Sequence, residues 1–284
     1  MQPIIFSSLG NSNPRTMISA TQIKLIRSLR QNKYRDLHHL YVVEGEKMVK
    51  ELLGGHDNAR HQTRKLFATD DFLKENQDLL HPLDTDITAC SEKEMERISN
   101  LVTPQRVLAL VAKPDPVPLH MLPAAGPVLA FESIRDPGNL GTILRTADWF
   151  GIRQVACSPD SVDLYNPKVV QSTMGAIFRV RVVYVELMEW LGGIDPGKRQ
   201  ILGTFLDGKN LYSMKLEKNP VILFGNESKG LSDLYDPYIT RRVSIPSFHQ
   251  ADQGSESLNL AASVAVVCSE LRREFLGRPT QNEN

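Results

Sequence analysis

The 284-residue sequence predicts an α/β protein built in two parts. Three observations carry that prediction. Short apolar runs alternate with helical stripes, the alternation restarts after a proline-dense stretch, and the second half reads as a mostly parallel sheet. The stretch KPDPVPLHMLPAAGP at 113–127 holds five prolines, a density that sustains neither a helix nor a central strand. The expected boundaries are therefore 1–113 for the first part, 114–127 for a linker and 128–284 for the second, with 1–15 read as disordered.

Within the first part, Ile23, Ile26, Arg27 and Arg30 recur at the spacing of an amphipathic helix. LYVVEGEKMVKELL reads as a strand, a turn at Gly45 and a helix that buries Met48, Val49, Leu52 and Leu53. KLFATD, DITAC and RVLALVAK are further strands, with helices opening at Asp71 and Ser91. In the second part PVLAF, RQVACS, RVRVVYV, RQILGTF, VILFG and RRVSIP are strands, and helices cover 138–151, 166–175 and 257–275. Strands alternating with helices imply a parallel sheet covered on both faces, with ligands beyond the carboxyl ends of its strands.

An apolar content of 41% and a charged content of 23% are those of a globular chain, not of a disordered or fibrous one. Net charge is zero, so a surface for polyanions has to come from local clustering. Residues 1–35 supply such a cluster: Arg15, Lys24, Arg27, Arg30, Lys33 and Arg35, with no acidic residue among them. An amphipathic helix with a basic face suits a polyanion, and an ordinary solvated face stands beside it as the alternative. Cys90, Cys157 and Cys268 are odd in number, far apart and free of any CxxC, which argues against a disulfide framework or a zinc site and fits a reducing cytoplasm. The first ten residues lack a basic n-region and a long apolar run, so no signal peptide is expected. The most apolar window, 258–268, is about half a membrane span, and a soluble intracellular protein is expected.

Three loops that follow strands are rich in Gly, Asn and Ser. FESIRDPGNLGTILRTADWFG opens a helix whose buried stripe is Leu140, Ile143, Leu144 and Ala147, leaving Gly138, Thr142 and Arg145 on the other face. Arg145 either reaches a ligand over that helix or pairs with Asp148 at the surface, an interaction worth little. FGNESKG sets Gly225 and Gly230 five apart, the glycine spacing of a phosphate-binding P-loop, but the Lys-Ser/Thr that must follow is absent. Its glycines let a backbone approach a ligand, and its alternative is a plain turn capped by Asn226 and Ser228. The third loop leads from Pro246 to Ser257 and Asn259, either of which can cap the last helix.

In this order the three loops resemble the motifs of the SpoU (TrmH-like) family of RNA ribose 2′-O-methyltransferases, of the SPOUT class. Asn139 with Arg145-Thr146-Ala147 is similar to the first motif, Gly225, Glu227 and Gly230 to the second, and Ile245-Pro246 with Ser257-Leu258-Asn259 to the third. NPKVVQSTMGAIFRV resembles a weaker element between the first two. The third loop departs from the pattern: ten residues, 247–256, stand where about six are usual, and they include His249 and Asp252.

The resemblance implies an α/β trefoil-knot domain that acts as a homodimer, preceded by a small α/β RNA-binding domain like a ribosomal protein. It implies S-adenosylmethionine as cofactor, held by Thr204, Gly225, Glu227, Gly230, Ile245, Leu258 and Asn259. It assigns catalysis to Arg145 with Asn139, Glu227, Ser257 and Asn259, and needs no metal, because the cofactor brings an activated methyl. The substrate would be RNA, ribosomal ahead of transfer RNA, bound by Lys24, Arg27, Arg30, Lys33 and Arg35. A non-catalytic RNA-binding assembly factor of the same fold is the rival reading.

Overall fold

Local chemistry sets where elements start and stop, and the computed structural model describes them through residues 17–55, 60–116, 126–248 and 256–276. Ser19 and Gln22 form a capping box that opens α1 (Ala20–Ser28). The basic stretch then breaks, and α2 (Asn32–His38) starts on a new axis and ends at His39, whose φ is 50°. The single basic helix expected from periodicity is thus two helices. After β1 (Leu40–Glu44), α3 (Glu46–Gly54) buries Met48, Val49, Leu52 and Leu53 as expected. β2 (Thr63–Thr69) leads through its terminal Thr69 cap into α4 (Asp70–Glu75), followed by the single turn α5 (Gln77–Leu80) and β3 (Asp86–Cys90). A second capping box, Ser91 with Glu94, opens α6 (Glu92–Ile98) ahead of β4 (Val107–Ala112).

These strands form one sheet in the order β1-β4-β2-β3, with β4 antiparallel to both neighbours and β2 parallel to β3. Side chains alternate across it. Val42, Phe67, Leu108 and Leu110 face Ile23, Ile26, Leu29 and Met95 of the helices on one side. Tyr41, Val43, Leu66, Ala109 and Val111 face the other way, into a core that continues through the second half of the chain.

That second half holds β5 (Val128–Phe131), α7 (Pro137–Trp149), β6 (Gln154–Cys157), α8 (Pro167–Thr173) and β7 (Arg181–Tyr184). There follow α9 (Leu187–Gly192), β8 (Ile201–Asn210), β9 (Val221–Phe224), β10 (Arg241–Ser244) and α10 (Leu260–Leu276). The six strands are all parallel, in the order β10-β8-β9-β5-β6-β7. Leu129, Phe131 and Ile222 pack against α7 and α10, and Val128, Ala130 and Leu223 pack against Trp190 and Tyr235 on the opposite face. α7 buries Leu140, Ile143, Leu144 and Ala147, the expected stripe.

The two sheets meet along an aromatic seam. Tyr41 lies 4.7 Å from Tyr165, and His61 lies 5.3 Å from Phe178, measured between ring centroids. Residues 1–16, most of the expected linker (117–125) and the stretch 249–255 with His249 and Asp252 lie outside the described residues. Among the described residues no helix is long and apolar enough to cross a membrane.

Candidate active site

Because the strands of the second sheet are parallel, their carboxyl ends share one edge, and the three expected loops all leave from it. β5 and β9 are neighbours, which sets the loop opening α7 beside FGNESKG. Glu132 N at the end of β5 donates to Phe224 O at the end of β9 (2.9 Å), so the two loops part from a common point.

Glu227 draws them together. Its Oε1 accepts from Asp136 N and from Asn139 Nδ2, both at 3.2 Å, and its Oε2 accepts from Arg135 N and Asn226 Nδ2, both at 3.3 Å. Asn139 has its own amide fixed by the Asp136 carboxylate, which caps α7 (2.8 Å). The free end of the Asn139 side chain, Oδ1, accepts from Asn259 Nδ2 at 3.2 Å. Asn259 Oδ1 in turn accepts from Ala262 N (3.2 Å), capping α10. One continuous run of side-chain hydrogen bonds, Glu227 to Asn139 to Asn259, therefore joins a residue from each loop.

FGNESKG is tightly self-packed. Asn226 and Gly230 exchange backbone hydrogen bonds of 3.0 and 2.9 Å, and Asn226 Oδ1 accepts from Ser228 N and Lys229 N at 3.0 and 3.2 Å. A Cβ on Gly225 would stand 2.0 Å from both Gly230 C and Leu231 N, and Gly230 has φ 72°. Both glycines are thus required by the loop's own turn, a physical reason different from the expected close approach to a ligand.

Arg145, six residues beyond Asn139 on α7, is exposed and makes no hydrogen bond or ion pair among the described residues. The surface pair with Asp148 does not form. Arg179 Nε holds Asp148 Oδ2 at 2.9 Å, and Arg153 lies 3.5 Å from its other oxygen. Ser257 and Leu258 are exposed, Leu258 at 51%. Thr204 spends its hydroxyl on Leu223 O (3.1 Å), tying β8 to β9, and Ile245 lies half-buried against the core. Glu227, Asn139 and Asn259 are thus brought into contact, whereas among the described residues Arg145, Ser257 and Leu258 make no side-chain hydrogen bond or ion pair.

Sequence reasoning missed one cluster beside them. Asp160, just beyond β6, accepts from Ser133 Oγ (2.5 Å), Ser158 Oγ (2.6 Å) and Arg135 Nη2 (2.6 Å). The Ser133 and Ser158 hydroxyls, and more weakly Arg135, hold its carboxyl below the ordinary aspartate range against a small cost of burial. The cluster pins Ser133 at φ 52° and with it the backbone whose amides at 135 and 136 grip Glu227. Its only trace in the sequence is the Pro159-Asp160 turn.

On the first domain, Lys24, Arg27, Arg30 and Lys33 are exposed, and among the described residues none of them pairs with a carboxylate. Arg27 Nε donates to Arg97 O (2.7 Å), and Arg30 donates to Asn100 Oδ1 (2.6 Å) and Ser99 O (2.8 Å), contacts that orient both guanidiniums without neutralising them. Arg35 corrects the expectation. It is 2% exposed and bonded to Asp163 Oδ2, because the break before α2 turns it inward and away from the basic face. Among the described residues no group of three or more His, Cys, Asp or Glu side chains is arranged to hold a metal ion.

Comparison with known proteins completes the description. A model of the SpoU rRNA Methylase family matches residues 126–269, and one of an MRM3-like substrate binding domain matches 20–109. The chain is 26% identical to the 23S rRNA (guanosine(2553)-2'-O)-methyltransferase RlmP of Bacillus subtilis, over 88% of this chain and 96% of that protein. Among solved structures, a TrmH-family protein of Porphyromonas gingivalis shares 36% identity with a TM-score of 0.78, over 91% of this chain and 99% of the other. An AdoMet-bound rRNA methyltransferase of Sinorhizobium meliloti shares 27% identity with a TM-score of 0.77, over 91% and 98%. With more than half its residues matched by one family model, the chain belongs to the SpoU rRNA methylase family.

Proposed function

We propose that this protein methylates ribose 2′-oxygens of RNA with S-adenosylmethionine, and that its substrate is ribosomal RNA. The observation that carries the reading is the Glu227–Asn139–Asn259 run of hydrogen bonds, which assembles residues of three loops at the start of the helix that carries the exposed Arg145. The names of its relatives favour ribosomal over transfer RNA.

The residues at this edge suit the cofactor. Ile245 and the half-exposed Leu258 offer apolar surface for a purine, and the backbone of 225–230 offers polar groups. S-adenosylmethionine, when bound, supplies a methyl on a sulfonium centre with a good leaving group. The chain's task is then placement and charge. Through its guanidinium, Arg145 binds the phosphate next to the target ribose and stabilises negative charge developing on the 2′-oxygen. Asn139, fixed at both ends of its side chain, sets the start of α7 and so the direction from which Arg145 approaches. Lys24, Arg27, Arg30 and Lys33 take further phosphates, which makes binding fall steeply with salt. We further infer a homodimer, a knotted crossing around the cofactor and action in the cytoplasm, in keeping with the family resemblance.

The test is transfer of labelled methyl from S-adenosylmethionine to ribosomal and transfer RNA from cells lacking the gene, wild type beside Arg145→Ala. Alkali-resistant label in ribosomal RNA, present with wild type and lost in the variant, is the expected result. Label in transfer RNA only would overturn the substrate, and no label in either pool despite cofactor binding would overturn catalysis.

A further inference from the structure

The buried arginine of α2 does more than leave the basic face. Arg35 Nε and Nη2 donate to Asp163 Oδ2 at 2.9 and 2.6 Å, across 128 positions of sequence and from one domain to the other. Its Nη1 donates to Leu29 O (2.8 Å) and Arg30 O (3.0 Å), the carbonyls of the turn between α1 and α2. One guanidinium therefore fastens the turn that carries Arg30 and leads to Lys33 onto the loop after β6. Asp163 is itself fixed, since its Oδ1 accepts from Tyr165 N at 3.2 Å. A second bridge runs in parallel: Arg179 binds Glu51 of α3 at 2.8 Å and Asp148 of α7 at 2.9 Å. Asp148 stands on the same helix as Asn139 and Arg145, so one bridge fastens the turn beside the basic face to the second domain and the other fastens α3 of the first domain to the helix that carries the candidate catalytic arginine.

We propose that Arg35 and Asp163 are positioning residues that set the distance and angle between the basic face and α7, and so select which nucleotide of a bound RNA reaches Arg145. The inference rests on the methyl-transfer reading given above. A rigid span between phosphate contacts and reacting atoms turns RNA shape into site choice, because only a ribose at that span from the anchored phosphates is presented in line. Neither residue touches substrate. Their effect passes through the geometry of the domains.

The experiment uses the full chain with Asp78→Cys in the first domain and Lys218→Cys in the second, both exposed positions, carrying a pair of distance labels. The three native thiols are buried and stay unlabelled. Asp163→Ala removes the clamp at a side chain that is 22% exposed, and Asp163→Asn, which keeps an acceptor for Tyr165, guards against local collapse. The expected result is a narrow interdomain distance distribution in wild type that broadens in both variants. With it, kcat/KM on structured RNA falls roughly 10- to 100-fold and label spreads to neighbouring riboses. Cofactor affinity and turnover on a short oligonucleotide that bypasses the basic face stay as in wild type. A distribution as narrow as wild type with an unchanged methylation site would overturn the proposal, as would equal losses on long and short RNA. Absence of turnover by wild type would sink the methyl-transfer reading, and the distance distributions would still decide whether the clamp exists.

Discussion

Glu227→Gln tests the three-loop assembly at its centre with almost no change of volume. The carboxylate accepts four hydrogen bonds, two on each oxygen: Asp136 N and Asn139 Nδ2 on one, Arg135 N and Asn226 Nδ2 on the other. A glutamine has only one oxygen, so whichever way its amide turns, the NH₂ group faces two N–H donors and two accepted bonds vanish. Hydrogen bonds to a charged group contribute about 1.5–3 kcal/mol each, but these are long and partly open to solvent, which reduces them to about 1 kcal/mol. The loss is then about 2 kcal/mol, or roughly 30-fold in rate if it falls on the arrangement needed for transfer. Single-turnover methyl transfer at saturating cofactor measures it, with cofactor affinity followed by calorimetry. A rate within about threefold of wild type, equivalent to about 0.7 kcal/mol, would refute the claim that Glu227 organises the site.

Three further outcomes are expected. Arg145→Lys keeps the charge but loses the planar fork, so its rate should fall nearly as far as that of Arg145→Ala, by about 100-fold; a lysine variant that keeps most activity would show that charge alone suffices. Gly225→Ala forces a Cβ to within 2.0 Å of backbone and must open the Asn226–Gly230 turn. It should cost about 2–4 kcal/mol, seen as a shifted urea midpoint. Arg106 hydrogen-bonds Glu46 and Glu75 and holds both carboxyls below their ordinary value of 4.5. A depressed carboxylate contributes stability that is complete above 4.5 and lost as pH falls through the folded value. Arg106→Gln should therefore narrow the stability gap to wild type as pH drops below 4.5 in acid-urea titrations, and a gap independent of pH would contradict the assignment.

Where a signal is local, sequence and structure agree. Ser91 and Glu94 cap α6, the apolar stripe of α7 is buried, and the strands from PVLAF to RRVSIP share one parallel sheet. Departures arise where a distant residue decides. The basic cluster of residues 1–35 counts Arg35 with Arg27 and Arg30, but its partner Asp163 belongs to the other domain, and no short window contains both. In the same way Asp148 looks like a partner for Arg145 three positions away until Arg179 arrives to claim it. β8 runs on to Asn210, past the expected strand RQILGTF, where Val243 and Ser244 of β10 pair with Lys209 and Asn210 and Arg242 stacks 3.5 Å over the Phe205 ring and pairs with Asp207. The six-residue helix α9 is too short for its periodicity to stand out. The candidate site was legible through its three loops, and the residues of the Asp160 cluster that brace them carry no spacing by which to be found.

The Arg35–Asp163 pair also dates the order in which this chain matures on a ribosome. The first sheet is complete once β4 has emerged, but Asp163 follows roughly 50 residues later, a wait of about 3–10 s at about 5–20 residues per second. Until then the arginine has neither the Asp163 carboxylate nor the second domain packed over it. A guanidinium open to water is solvated, so water competes with it for the carbonyls of Leu29 and Arg30, and the nascent first domain holds its turn loosely there. Its basic face would take its final shape only when the catalytic half folds against it, so an RNA met during synthesis would encounter an unfinished surface.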